Sequence, residues 1–306
     1  MARGKKTKSR KDLKPKAPAR AKAKRADGAG GRVVVKAFVA AAAIVAAALG
    51  LGLMRRSLLS SPRYSDARAH VRLVAVPSWL PADVRGRVLA DLSAVASGRS
   101  LYDDDLTQDL YEAGGRDPWI ARVREVRKEA DGTVAVQADY RRPFALVGSM
   151  KLEPSDLRVV DADGVILPLN PQRVRDKSLI LIRDVASAPP ETGQAWRAPD
   201  LLDGLRLLKI LQDEPFIHEV PAIDVRSYFS KVSATDPRLG FWAQRGRGRA
   251  TYYCFGGLPA ADGLDPAVPV EQRVGYLRDY YGKHGTLAGI HRRIDLRFDT
   301  MYDVVH

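Results

Sequence analysis

The chain has 306 residues, of which 45% are hydrophobic and 28% charged, with one cysteine and a net charge of +14. A single cysteine excludes an intramolecular disulfide framework, so the fold must be held by its core. The charge does not point to a nucleic-acid-binding domain: residues 1–36 hold 14 Lys/Arg against Asp12 and Asp27, a net +12, and the remaining 36 basic and 34 acidic side chains nearly cancel.

Residues 1–32 are rich in Lys, Arg, Ala and Pro and have no aromatic residue. Such a segment cannot bury enough surface to offset chain entropy and is expected to be a disordered tail. Its positive charge suits anionic lipid headgroups, while the lack of aromatic stacking residues argues against a specific nucleic-acid partner. Residues 33–54 form an almost uncharged Ala/Val/Leu run, followed by Arg55-Arg56. A helix of roughly 20 apolar residues spans a bilayer core of about 30 Å. Lys36, the one charge in the run, lies close enough to one end to snorkel. The run predicts a transmembrane helix with the basic tail in the cytoplasm and the bulk of the chain outside it. A cleaved signal peptide competes, with Ala-x-Ala patterns between Ala40 and Ala48, but both the basic region and the apolar run exceed signal-peptide lengths. A buried helix of a soluble domain fits the all-round apolarity but not the flanking charges.

Residues 55–69 carry turn formers and read as a linker. His70–Val76 predicts a strand, and Pro81 opens a helix that places Val84, Val88, Leu92 and Val95 on one face before a stop at Gly98. A second helix is expected over about Asp104–Ala113, with Asp103 to Asp105 at its positive end and Gly114-Gly115 terminating it. Trp119–Lys128 and Thr133–Leu146 then read as a hairpin around Asp131-Gly132. Residues 70–147 thus predict a strand-helix-helix-strand-strand domain, an α+β layer with helices on one face of a three-stranded sheet.

Residues 148–306 predict a β-rich domain with two helices. Strands are expected at Leu157–Asp161 and Val165–Leu169 about Asp163-Gly164, and at Leu179–Ile182, Ala222–Tyr228 and Gly248–Phe255; helices at Ala198–Leu211 and Val270–Tyr281. Arg238–Arg249, with Gly240, Gly246 and Gly248, reads as a loop. Ile294–Phe298 reads as a closing amphipathic strand, with Ile294, Leu296 and Phe298 on one face and Asp295, Arg297 and Asp299 on the other.

Catalytic and metal patterns are weak. Cys254 lies in an alternating run with Ala250 and Tyr252 and reads as a buried apolar side chain, a setting that blunts a thiol. Asp161-Ala-Asp-Gly starts like a calcium loop but lacks the closing Glu, and reads as a hairpin turn. No His pair at metal spacing, phosphate loop or Gly-x-Ser-x-Gly occurs, so neither enzyme activity nor a cofactor is expected.

The order of parts, together with Asp117-Pro-Trp-Ile-Ala-Arg-Val-Arg-Glu-Val-Arg-Lys, Tyr140-Arg-Arg-Pro-Phe-Ala-Leu, Leu157-Arg-Val-Val-Asp-Ala-Asp-Gly-Val and Ile294-Asp-Leu-Arg-Phe, resembles the bacterial cell-division proteins FtsQ/DivIB. Phe298, Met301 and the 238–249 segment depart from that pattern. The resemblance implies a polypeptide-transport-associated (POTRA) domain over residues 70–147 and a noncatalytic scaffold that recruits septal membrane proteins at the division site by strand addition. It implies partners of the small bitopic coiled-coil FtsB/FtsL type on Ile294, Asp295, Leu296, Arg297, Phe298 and Thr300. Phe298 and Thr300 would face the partner, and Asp295 and Arg297 would fix local geometry. It also implies docking of another division protein along Arg122, Arg124 and Val126, beside a Trp119 that reads as core. An ordinary core strand at 294–298 is the competing reading. A POTRA-type chaperone or envelope-assembly module is the alternative function.

Overall fold

A computed structural model describes residues 29–59, 68–149, 156–170, 179–229, 237–259, 268–289 and 291–303. The expected tail, except for its last four residues, and most of the linker lie outside them. The chain divides into two compact units, residues 1–61 and 62–306.

In the first unit, α1 runs over Ala29–Leu59 and contains the whole expected span. Its side chains are described without a gap only from Phe38 to Met54, and every one of them is exposed. Among the described residues no helix is long and apolar enough to cross a membrane.

The second unit is α+β and contains two mixed sheets. The first is built in the order β1 (His70–Val74), α2 (Ala82–Ala96), α3 (Leu106–Arg116), β2 (Ile120–Lys128) and β3 (Thr133–Tyr140). Its spatial order is β1-β3-β2, with β1 parallel and β2 antiparallel to β3. Pro81 caps α2, whose Val84, Val88, Leu92 and Ala96 are buried at helical spacing. Val134, Val136 and Ala138 of β3 face the same core. Contrary to expectation, α3 passes through Gly114-Gly115 to Arg116. Gly114 sits against β2, where a Cβ would lie 2.8 Å from Val123 Cγ2, so the residue serves close packing rather than termination.

The strand expected to reach Leu146 ends at Tyr140. Over Arg141–Phe144 the chain changes sheets: Arg141 N still donates to Trp119 O at 2.8 Å, while Phe144 N donates to Val160 O at 2.8 Å. Pro143 between them has no N–H to extend the first ladder. Beyond it come β4 (Ala145–Gly148), β5 (Arg158–Val160), β6 (Ile166–Leu167), β7 (Ile180–Arg183), α4 (Pro199–Leu211), a 3-10 turn (Ile217–Glu219), β8 (Ala222–Asp224), β9 (Gly240–Ala243), β10 (Thr251–Cys254), α5 (Val270–His284), β11 (Arg293–Asp295) and β12 (Tyr302–Asp303). Together the strands form one mixed sheet ordered β12-β11-β10-β9-β8-β7-β4-β5-β6.

One face of this sheet packs on α4 and α5 around Ile182, Ile223, Phe241, Tyr253 and Ile294, with the Phe241 and Tyr253 rings stacked at 4.9 Å. The other face of β4–β7 joins the core of the small domain through Leu146, Val159, Leu167 and Leu181. The alternation Ala145, Leu146, Val147 sends successive side chains into opposite cores, which is why that strand is apolar throughout.

Candidate partner-binding edges

The C-terminal hairpin is built on a buried scaffold. β11 lies parallel to β10, pairing Tyr253 with Ile294 and Cys254 with Asp295, and β12 returns antiparallel, pairing Ile294 with Asp303 and Asp295 with Tyr302. Among the described residues β12 is the last strand of the sheet. It therefore presents a short ladder edge. Ile294 and Leu296, two of the expected partner residues, have side chains buried in the core at 2% and 0% exposure. Their face is not shared by Phe298: the chain leaves the strand after Asp295, and Phe298 stands 52% exposed in the bend between the two strands. Thr300 is exposed in the same bend.

The bend has its own chemistry. Asp295, 3% exposed, accepts the Arg297 backbone N–H at Oδ1 and the Arg297 guanidinium at both carboxylate oxygens. These hydrogen bonds hold the Arg297 guanidinium above its usual pKa. Tyr276 of α5 donates to the Asp299 carbonyl, and Met301 packs against the core, so both sides of the bend are anchored. The Arg297 guanidinium carbon lies 6.0 Å from the centre of the Phe298 ring. The expected strand is thus half of a hairpin. Its second half escaped the sequence because β12 has only two residues and no alternating pattern.

A second edge lies on β2, an end strand of the small sheet. Arg122 is exposed; Arg124, also exposed, reaches across to Asp139 at 2.7 Å; Val126 is half-buried against the core. Two register shifts, between Ile120 and Arg122 and between Val123 and Glu125, interrupt the β2 ladder. Bulges and arginines of this kind blunt an edge against indiscriminate pairing. Trp119 is a core residue at 3% exposure, and its indole N–H has no hydrogen-bond partner among the described residues.

Cys254 is fully buried, accepts the Arg293 Nε–H at 3.1 Å, and is pushed up in pKa by that burial. The Asp161 carboxylate is engaged in the β5–β6 turn, accepting from Asp163 N, Val165 N and the Arg141 guanidinium. Among the described residues no group of three His, Cys, Asp or Glu side chains could hold a metal ion. Comparison with protein-family models and with curated proteins finds no match to this chain.

Proposed function

We propose that the protein is a single-pass, membrane-anchored, noncatalytic scaffold of the bacterial division machinery, which takes up a strand from a small bitopic coiled-coil partner of the FtsB/FtsL type at its C-terminal hairpin. The observation that carries this reading is the β11–β12 hairpin: a two-residue strand at the end of a large sheet, beside an exposed Phe298. Strand addition takes affinity from main-chain hydrogen bonds and specificity from side chains next to the edge, and both are available there. The strand-helix-helix-strand-strand order of residues 70–140 supports a POTRA-type domain. The FtsQ/DivIB-like segments also fall at structurally telling places: the start of β2, the crossing between sheets, the β5–β6 turn and the Asp295–Arg297 corner.

The anchor reading rests on the apolar run 33–54 of the sequence, whose side chains are described without a gap only over Phe38–Met54 of α1. Phe38, Ile44, Leu49, Leu51 and Leu53 are all more than 60% exposed on a helix whose described side chains have no buried face. Apolarity on every side of an exposed helix is matched by hydrocarbon rather than by water. The more strongly basic segment before the helix, against Arg55-Arg56 after it, supports an N-terminus in the cytoplasm by the positive-inside rule.

The test is purification of tagged full-length protein from solubilised membranes, wild type beside Phe298→Glu, with co-purifying proteins identified by mass spectrometry. Small bitopic coiled-coil and septal proteins are expected with the wild type and lost with the variant. Recovery of unfolded envelope proteins with both would replace the division reading with a POTRA-type chaperone module.

A further inference from the structure

The β9–β10 turn, Gln244–Arg249, carries Arg245, Arg247 and Arg249 separated by Gly246 and Gly248, and all six residues are exposed. The turn is firmly built. Gln244 N donates to Glu219 O at 2.7 Å and Gly248 N to Arg245 O at 3.0 Å, while the Gln244 side-chain amide donates to Gly248 O at 3.1 Å. Gly246 takes the corner at φ +58°, where a side chain would be strained. Next to it runs the loop leading into β11: a Cβ on Gly289 would lie 3.6 Å from Arg249 O, and Tyr252 N donates to Arg292 O at 3.1 Å. Exposed Arg292 is thereby brought to the same end of the sheet. Among the described residues, Arg245, Arg247, Arg249 and Arg292 make no ion pair and no side-chain hydrogen bond.

We propose that Arg245, Arg247, Arg249 and Arg292 form a docking surface for the phosphates of an anionic phospholipid bilayer; this rests on the anchor reading above. Guanidinium groups pair with phosphate oxygens bidentately. Glycines between the arginines leave the turn without an apolar or aromatic side chain of its own. An exposed turn of alternating arginines and glycines suits a flat charged surface. The chain beyond residue 36 is nearly neutral as a whole, so any attraction to an anionic bilayer must come from local clusters such as this one. Tethering adds a high effective concentration of lipid, against which each arginine strengthens contact about fivefold.

The experiment is hydrogen exchange on the full chain in nanodiscs of purely zwitterionic lipid and in nanodiscs with about one-third phosphatidylglycerol, a composition giving a strong surface potential. The amides of 245–249 are expected to slow by about tenfold or more only in the anionic discs. Protection should vanish in about 0.5 M salt, where the Debye length shrinks to a few ångströms, and in R245Q/R247Q/R249Q. Equal exchange in both discs overturns the inference, as does protection in zwitterionic discs on adding inorganic polyphosphate when anionic lipid gives none, which would assign the turn to a soluble polyanion. Exchange over Phe38–Met54 reports the anchor separately. Slow exchange there in both discs with an unprotected turn defeats only this inference, whereas fast exchange there defeats the anchor reading itself.

Discussion

Arg297 closes a two-residue corner on Asp295: the Asp295 Oδ1 accepts the Arg297 backbone N–H at 3.0 Å, and the Arg297 guanidinium donates Nε to Oδ1 at 2.9 Å and Nη2 to Oδ2 at 2.6 Å. The corner turns the chain out of β11 and sends Phe298 into solvent. The two partners are unequally buried, with side chains 4% and 20% exposed for Asp295 and Arg297. Removing the arginine strands a buried carboxylate, whereas removing the carboxylate leaves a guanidinium that can reach water. Arg297→Ala should therefore cost about 3 kcal/mol and Asp295→Asn about 1–2 kcal/mol, read by urea unfolding in detergent. Equal costs would mean that the corner is not held by this pair.

Phe298 and Leu296, two residues apart, should respond oppositely. Leu296 is fully buried, and Leu296→Ala should lose about 2–5 kcal/mol. Phe298→Glu, at an exposed position, should stay within about 0.5 kcal/mol of wild type while losing the co-purified partners. A variant that both unfolds and loses partners would remove Phe298 as a recognition residue.

The same two residues show how far the sequence carries. Alternation correctly put Ile294 and Leu296 on one inner face, because pleat and burial act over neighbouring residues. It extended that face to Phe298 because the Asp295–Arg297 corner is a side-chain to backbone device with no periodic signature. The helices Ala82–Ala96, Pro199–Leu211 and Val270–His284 were legible from apolar spacing and a proline at or beside their start. β9 was not: Gly240–Ala243 lies inside the Arg/Gly-rich segment, and its first residue is glycine because the Tyr252 hydroxyl lies 2.2 Å from where a Cβ would stand. That constraint comes from a strand paired across the hairpin and is invisible along the chain. The division of Thr133–Leu146 between two sheets was hidden for a similar reason, since both pieces are apolar and only Pro143 marks the break.

Gly114 tests the packing of α3 on β2. In an open helix Gly→Ala gains up to about 1 kcal/mol, but here the new Cβ meets the stiff Val123 side chain at 2.8 Å. Gly114→Ala should destabilise by about 1–3 kcal/mol. Combining it with Val123→Ala should recover part of that loss, so that the double variant is more stable than the sum of the single effects predicts. Thermal unfolding of the four proteins gives the coupling, and strict additivity would show that the glycine is not in contact.

Acid should act on the small domain through Asp103. Its carboxyl is held below its ordinary 3.8 foremost by the hydrogen bond from Arg99 Nε at 2.8 Å, and Arg99 also reaches Asp109 at 2.5 Å. With the folded pKa lowered, the stabilisation is complete above 3.8 and is lost as pH falls through 3.8 towards the lower folded value. Asp103→Asn should reduce the fall in Tm of wild type below that pH. Parallel curves would uncouple the pair from folding.

Asp117 should work in the opposite sense. Burial, the largest influence on it, raises its carboxyl above 3.8, although its Oδ1 accepts the Trp119 backbone N–H at 2.8 Å. A folded state that favours the protonated form loses stability as pH rises through 3.8 towards the higher folded value, so the charge is a net cost at neutral pH. Asn keeps an oxygen for the Trp119 N–H without the charge. Asp117→Asn should therefore raise Tm at pH 7 and bring no gain below pH 3, where wild type is itself protonated. A loss of stability at pH 7 would show that the hydrogen bond from Trp119 requires the carboxylate, and that its strength outweighs the burial of the charge.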